Sequence, residues 1–514
     1  MGVFTPGEAN EALRALGERL RQARLSRNER QAVFAQRLRI SVPTLRSMER
    51  GDPTTRVGHW ATALWMFDRI GDLDGLFARR RDLFAEALEE RRSAGKARRR
   101  ARINEMISLD VCLTREDASH VRAGELLMTE PAGRGEFASA YRYMPAYLDD
   151  PRAFPLDPRG LPLGTPTQEA QRLEPPLSVF RDALPDSWGR RVMIARYGLT
   201  GAAQLEPDLL RLIGARGLGA LAFFESGTEP DFALDDAADT SEVAELVEAA
   251  HRFERGDPVD PDMARLLKAG SSAGGMRPKA LFRDAHGEWI GKFRAIEDRD
   301  DVVGLEAASL ELARGAGIRI PRTRLLRLSG GRKVLLVRRF DVTPEGGRRH
   351  VLSLSTLMQE RRDLPVLNYE DVLAEIARFS TAPDEDLRAF YRHMVFNVAL
   401  GNTDDHLKNW ALITDSQGFR LAPAFDLIPD IGARHEHVLR FRNSNYPPDR
   451  SALISMAVQF NTLEPETIID EVCEAVSGFA REAKDSEVPD GQIRRYEADI
   501  GRRLSKLSTP AVPS

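Results

Sequence analysis

The chain has 514 residues, 42% of them apolar and 30% charged, and a net charge of -4. Its length allows two to four domains. Two cysteines far apart, Cys112 and Cys473, exclude a disulfide framework and a cysteine-rich metal site, and no uncharged apolar run is long enough to span a bilayer. The N-terminus lacks the basic start and apolar core of a signal peptide, so a soluble, cytoplasmic protein with no membrane contact is expected. The charge is uneven: residues 1–102 hold 22 Lys/Arg against 13 Asp/Glu, while the remainder is acidic. Positive charge gathered in one module is the footprint of something that meets phosphates, although a solvated arginine-rich helix surface gives the same balance.

Residues 9–25 place Leu13, Leu16, Leu20 and Ala23 at helical spacing. A second helix fits Glu29 to Leu38, with Ala32, Phe34 and Ala35 available for packing. In ISVPTLRSMERGDP, Ser41 suits an N-cap, Pro43 a first turn, and Gly51 with Pro53 a stop. His59 to Ile70 reads as a closing helix. Two short helices joined by a tight turn make a helix-turn-helix, although a plain helical bundle uses the same spacing. In the first reading Thr44, Arg46 and Ser47 face the major groove and Arg50 reaches phosphate. Residues 91–104 form a basic linker, read as a solvated connector or as an arm adding phosphate contacts.

From Ile107 the pattern turns to strands, in ISLDVCL and GELLM. The prolines between Met144 and Pro166 argue for ordered loop. Phe180, Leu184 and Trp188 lie on a helical stretch, and DLLRLIGARGLGALAFF follows. Asp235 to Glu248 is acidic and reads as an exposed connector.

Four pieces then carry chemistry. The glycine-rich run Gly270-Ser271-Ser272-Ala273-Gly274-Gly275, with Lys279 after it, lets backbone N–H groups approach phosphate oxygens, although a flexible hairpin loop is the plainer reading. LFRDAHGEWIGKF is a hairpin with its turn at Asp284–Gly287, placing Lys292 on the returning strand. Glu306 opens a helix ending near Gly317 and is a candidate partner for Lys292. GNTDDHLKN has the Asp-x-x-x-x-Asn spacing of a protein-kinase catalytic loop: Asp404 would orient an attacking hydroxyl and Asn409 would hold Mg²⁺. Asp405 is expected to be exposed, and His406 to orient the loop by hydrogen bonding. A metal-hydrolase reading of Asp404, Asp405 and His406 is the alternative, and its one further candidate cluster is His435-Glu-His437. Residues 410–423 form a hairpin that returns Asp426 beside Asn409, where the two can share a metal. Phosphoryl transfer needs phosphates held, charge neutralised and a hydroxyl aligned, and these pieces supply the parts in chain order.

NTDDHLKNWALI, LAPAFDLIPD, LLVRRFDV, WIGKF and SSAGGMRPKALF together resemble the HipA-type kinase toxins over roughly residues 107–510. The front of the chain, through SVPTLRSMERG, resembles the Cro/repressor-type domain of the HipB antitoxins. The resemblance implies Asp404 as catalytic base, Asn409 and Asp426 as Mg²⁺ ligands, and Lys292 on the ATP phosphates. It also implies the backbone around Arg338, Arg339 and Phe340 as the adenine hinge. Autophosphorylation would fall on Ser271, with Ser272 the neighbouring candidate. The implied activity is an ATP- and Mg²⁺-dependent Ser/Thr protein kinase acting on an aminoacyl-tRNA synthetase or another translation component, with operator DNA as a second partner and a homodimer left open. A transcriptional regulator that senses nucleotide through an inactive kinase fold is the rival reading.

The expected fold is α+β: an all-α helix-turn-helix domain (1–90), the linker, and a two-lobed protein-kinase-like fold. That fold has a mixed α/β N-lobe (105–340) and a mainly helical C-lobe (341–510).

Overall fold

The computed structural model describes residues 7–70 apart from 28 and 68. It also describes 106–508 apart from 130–136, 165–166, 171–177, 234–236, 258–260, 271–276, 359–366 and 431–434. The basic linker and Ser271, Ser272, Ala273, Gly274 and Gly275 lie outside the described residues. Contacts divide the chain into two units, Met1–Asp82 and Leu83–Ser514.

The first unit is helical: α1 (Gly7–Ser26), α2 (Gln31–Arg37), α3 (Val42–Glu49) and α4 (Val57–Met66). The Ser41 hydroxyl accepts the Thr44 N–H at 3.2 Å and caps α3, whose first turn takes Pro43 without losing a hydrogen bond. Phe34, Leu45 and Met48 are fully buried with Leu20 and Trp60 around them. Ala32, expected to pack, is exposed, because Phe34, Ala35 and Leu38 set the buried face of α2 and Ala32 lies off it. A buried ion pair closes the unit: Arg24 Nε donates to Glu49 at 2.6 Å, and Gln31 Nε2 donates to the same carboxylate at 2.7 Å. A Cβ on Gly17 or Gly51 would strike the facing backbone, so these two glycines set how closely α1 approaches the end of α3.

The second unit begins with an antiparallel sheet in the order β4-β3-β2-β1-β5. Its strands are β1 (Ile107–Thr114), β2 (His120–Met128), β3 (Ser139–Tyr143), β4 (Gln168–Ala170) and β5 (Leu221–Glu225). The proline-rich stretch is ordered loop with one helical turn, Pro145–Leu148. Two buried tyrosines pin it: Tyr143 Oη donates to Leu161 O at 2.6 Å and Tyr147 Oη to Phe154 O at 2.8 Å. Between β4 and β5 run α5 (Ser187–Tyr197) and α6 (Glu206–Ile213).

The second sheet has the order β6-β7-β8-β10-β9. Its strands are β6 (Ala238–Asp239), β7 (Lys279–Asp284), β8 (Gly287–Phe293), β9 (Thr323–Arg327) and β10 (Lys333–Arg338). The helices of this region are α7 (Val243–Arg255), α8 (Pro261–Gly270) and α9 (Val302–Gly315). The acidic segment read as an exposed connector is corrected: its second half starts α7, which buries Val243, Leu246 and Val247. Its acidic residues take the solvent side of an amphipathic helix, which charge content alone conceals.

Side chains alternate between the faces of a strand. Ala280, Phe282, Trp289, Phe293 and Leu336 therefore form one core with Val247, Leu266 and Trp188. Cross-strand pairing places Lys279, Leu281 and Arg283 beside Lys292, Ile290 and Glu288 on the opposite face, with Leu335 and Val337 from β10.

The last region carries a three-stranded sheet, β11 (Val351–Ser353), β12 (Ala411–Asp415) and β13 (Gly418–Leu421). The rest is mainly helical: α10 (Tyr369–Phe379), α11 (Pro383–Leu400), α12 (Arg450–Ala457), α13 (Pro465–Ser477), α14 (Phe479–Asp485) and α15 (Asp490–Ser508). Helix α11 buries Leu387, Phe390, Tyr391, Met394 and Val398 and ends at Gly401, whose φ of +79° only glycine adopts without strain. Among the described residues no helix is long and apolar enough to cross a membrane.

Candidate active site

Lys292 is the centre of the site. The hairpin β7/β8 turns at Asp284–Gly287, and Lys292 on the returning strand lies opposite Lys279. Its Nζ forms ion pairs with Glu306 of α9 and with Asp426, which follows β13. Glu306 is buried, one turn inside α9, since that helix opens at Val302 rather than at Glu306 as expected.

The electrostatics follow from two lysines and two acids sharing a poorly hydrated space. Burial works to raise the Asp426 pKa, but the charges of Lys292 and Lys279 outweigh it and hold the carboxyl below its ordinary range. Burial would lower Lys292, yet Asp426 and Glu306 keep it protonated and raise its pKa. Lys279 is pushed down, first by burial and further by Lys292, with Asp426 opposing. Burial also raises Glu306, against Lys292. Asp426 is held at φ +54°, a conformation unfavourable for a non-glycine residue.

The loop after α11 places Asp404 with 68% of its side chain exposed, 3.8 Å from the His406 ring. Asn409 Nδ2 donates to the Asp404 carbonyl at 2.8 Å. Asp430 N donates to Gly401 O at 2.9 Å, which sets the segment after Asp426 against the start of this loop.

Two expectations about this loop are corrected. Asp405 is fully buried rather than exposed. It accepts from Tyr369 Oη at 2.6 Å, His437 Nδ1 at 2.9 Å, Val438 N at 2.8 Å and Leu439 N at 3.2 Å. His406 makes no side-chain hydrogen bond among the described residues, and its Nδ1 is buried without a partner. The loop is therefore oriented by Asp405, and His437 is spent on that anchor. No group of three or more His, Cys, Asp or Glu suited to a metal occurs among the described residues.

The expected hinge divides. Arg338 pairs with Trp289, so its side chain lies on the face away from Lys292; the hinge expectation concerns its backbone. Arg339 is buried, with Nη2 donating to Asp341 at 2.6 Å and to Gly217 O at 3.1 Å. Phe340 stacks on Phe425 with centroids 5.8 Å apart. Gly270 ends α8 against β7: a Cβ there would lie 3.2 Å from Lys279 O, which accepts from Trp188 Nε1 at 3.0 Å.

Sequence reasoning missed three features. Leu281 and Ile290 flank the two lysines on the same face and belong to none of the apolar cores, so they offer an apolar ceiling for a flat ring. Lys408 Nζ donates to Asp186 at 3.2 Å, tying the Asp404 loop to the start of α5. Strand alternation from Lys292 would have found Ile290. Nothing in the sequence pairs Lys408 with Asp186.

The donor set fits a hard divalent cation. Asn409 is anchored through its nitrogen, which leaves Oδ1 to accept. Asp426 Oδ1 takes Lys292, and its Oδ2 has no hydrogen-bond donor among the described residues. Two protein oxygens completed by phosphate oxygens are the usual provision for Mg²⁺.

The HipA N-terminal domain model matches residues 118–224, and the HipA-like C-terminal domain model matches residues 271–479. Together they take in more than half of the chain. The chain belongs to the HipA-type kinase family.

A curated relative, Y4dM of Sinorhizobium fredii (strain NBRC 101917 / NGR234), named provisionally as a kinase, is 26% identical over 366 residues, 66% of this chain and 84% of its own. Y4mE of the same strain, named in the same way, is 24% identical over 225 residues, 40% of this chain and 53% of its own. Among solved structures, a chain of the Shewanella oneidensis MR-1 toxin–antitoxin complex of HipA, HipB and operator DNA superposes with a TM-score of 0.57 at 18% identity. The match covers 78% of this chain and 97% of that one. At that identity the likeness shows the fold, and the HipA-type fold agrees with the mixed α/β architecture described above.

Proposed function

We propose that this HipA-type chain is an ATP- and Mg²⁺-dependent Ser/Thr protein kinase of the toxin class. The observation that carries the proposal is the meeting of Lys292, Glu306 and Asp426, with the segment after Asp426 hydrogen-bonded to Gly401 at the start of the Asp404–Asn409 loop. Lys292 binds phosphate oxygens once nucleotide displaces its contact with Asp426. Glu306 keeps that lysine aimed. Asn409 and Asp426 hold Mg²⁺, which neutralises phosphate charge when bound. Asp404, exposed at the mouth, orients the acceptor hydroxyl and takes its proton. Leu281 and Ile290 cover the adenine, and the backbone at Arg339 and Phe340 lines its edge.

Autophosphorylation is assigned to Ser271, with Ser272 as its neighbour, and the protein target to the translation apparatus. The first unit is assigned as a HipB-like helix-turn-helix, presenting Thr44, Arg46, Ser47 and Arg50 to operator DNA in a cytoplasmic protein. Supporting that reading are the Ser41 cap, the tight turn before α3, and the exposure of Arg46 and Arg50. The experiment is transfer of label from ATP into a cell lysate, with the modified protein identified by mass spectrometry. A protein that binds ATP and DNA and transfers nothing is instead a nucleotide-sensing regulator.

A further inference from the structure

The β9 edge of the second sheet, where the β7/β8 turn and the end of α9 meet it, carries a feature that nucleotide chemistry does not use. There a cleft of about 510 Å³ is lined by His286, Trp289, Arg314, Arg322, Arg324 and Arg338. The strands converge these side chains: Arg322 and Arg324 are two apart along β9 and its approach, and Arg338 N–H donates to Arg322 O. Trp289 forms the floor, with the Arg324 guanidinium 5.2 Å from its ring centroid.

The charges do not cancel. Arg324 Nη2 donates to Asp284 at 2.9 Å, and Arg314 pairs with Glu311. Arg322 and Arg338 have no side-chain partner among the described residues, and Arg324 Nε is buried without one. Four guanidiniums face two carboxylates, which leaves two positive charges before His286 is counted. A phosphomonoester carries close to two negative charges at neutral pH and three acceptor oxygens. Guanidinium forks match that geometry.

We propose that this cleft is a binding site for a phosphomonoester, separate from the nucleotide site and at the β9 edge of the same sheet, beside the β7/β8 turn. Its ligand is either a phosphorylated serine or threonine on a protein segment or a nucleoside monophosphate, which share that chemistry.

The test uses the full chain and a fluorescein-labelled peptide with one phosphoserine, followed by anisotropy. The unphosphorylated twin, AMP and inorganic phosphate serve as competitors. Arg322→Gln removes one exposed, unpaired guanidinium, and its melting curve verifies folding. The expected result is at least about a tenfold loss of affinity in Arg322→Gln, the weight of one charge-assisted contact. Lys292→Met keeps full affinity, because the nucleotide site is elsewhere, so the outcome does not depend on kinase activity. A phosphopeptide that outcompetes AMP assigns the site to a modified protein, and the reverse order assigns it to a nucleotide. Equal affinity in wild type and Arg322→Gln, equal competition by the unphosphorylated twin, or no binding of any phosphomonoester overturns the proposal.

Discussion

Lys292 and Asp426 lie 134 residues apart in the chain and form a direct ion pair. The β7/β8 hairpin delivers the lysine and the β12/β13 hairpin delivers the acid, so neither depends on a flexible arm. Removing Lys292 removes the main charge that holds the Asp426 carboxyl low and leaves Lys279 to oppose burial. Lys292→Met is expected to reduce phosphate transfer by about 100-fold or more. It should also raise the acid limb of the pH–rate profile, since Asp426 would protonate at higher pH. Comparing the two profiles checks both effects.

Asp405 acts through position. Tyr369, His437 and two backbone N–H groups saturate it inside the protein. Asp405→Ala leaves those donors unmet and is expected to cost about 3 kcal/mol of stability. Thermal melting reads this as a fall in midpoint. Asp404→Ala, at an exposed site, should melt like wild type while losing transfer. Equal destabilisation by both would contradict the division of roles.

Much of this was legible in the sequence, for reasons the structure makes concrete. The β7/β8 hairpin follows from its turn residues, and strand alternation then fixes where Lys292 points. The spacing of Leu387, Phe390, Tyr391, Met394 and Val398 forecasts the buried face of α11. What was illegible depends on long-range partners. Asp404 and Asp405 are adjacent and identical in type, and only Tyr369 and His437, 36 and 32 residues away, decide which one is buried. The side of the sheet taken by Arg338 likewise depends on its register with Trp289.

Buried histidines make the fold acid-sensitive. His350 is buried, with its ring nitrogen Nε2 at 2.7 Å from Leu156 O, and burial pushes its pKa down to about 4. Below about pH 6.5 the unfolded chain takes up a proton that the folded chain refuses, so stability falls as pH drops from there to about 4. The loss approaches about 3 kcal/mol per such histidine at the lower end. His350→Gln should flatten the dependence in denaturant titrations at pH 7 and pH 5. An unchanged slope would contradict the assignment.

The first unit carries its own test. Arg46 and Arg50 are exposed on and just after α3, and replacing both with alanine should weaken operator binding and make log Kd less steep against log salt, by roughly one unit per lost phosphate contact. Electrophoretic mobility shifts at several salt concentrations measure that slope. A Glu49→Ala change, which strands the buried Arg24, should instead melt this unit by about 3 kcal/mol.

The most direct test of the central claim is incorporation of labelled phosphate from ATP with Mg²⁺ by the purified full chain and by Asp404→Ala and Asp426→Ala. The account predicts transfer by wild type and at least a 100-fold loss in each variant, with melting of Asp404→Ala unchanged. Transfer retained in both variants, or absent from the folded wild-type chain supplied with lysate, would contradict it.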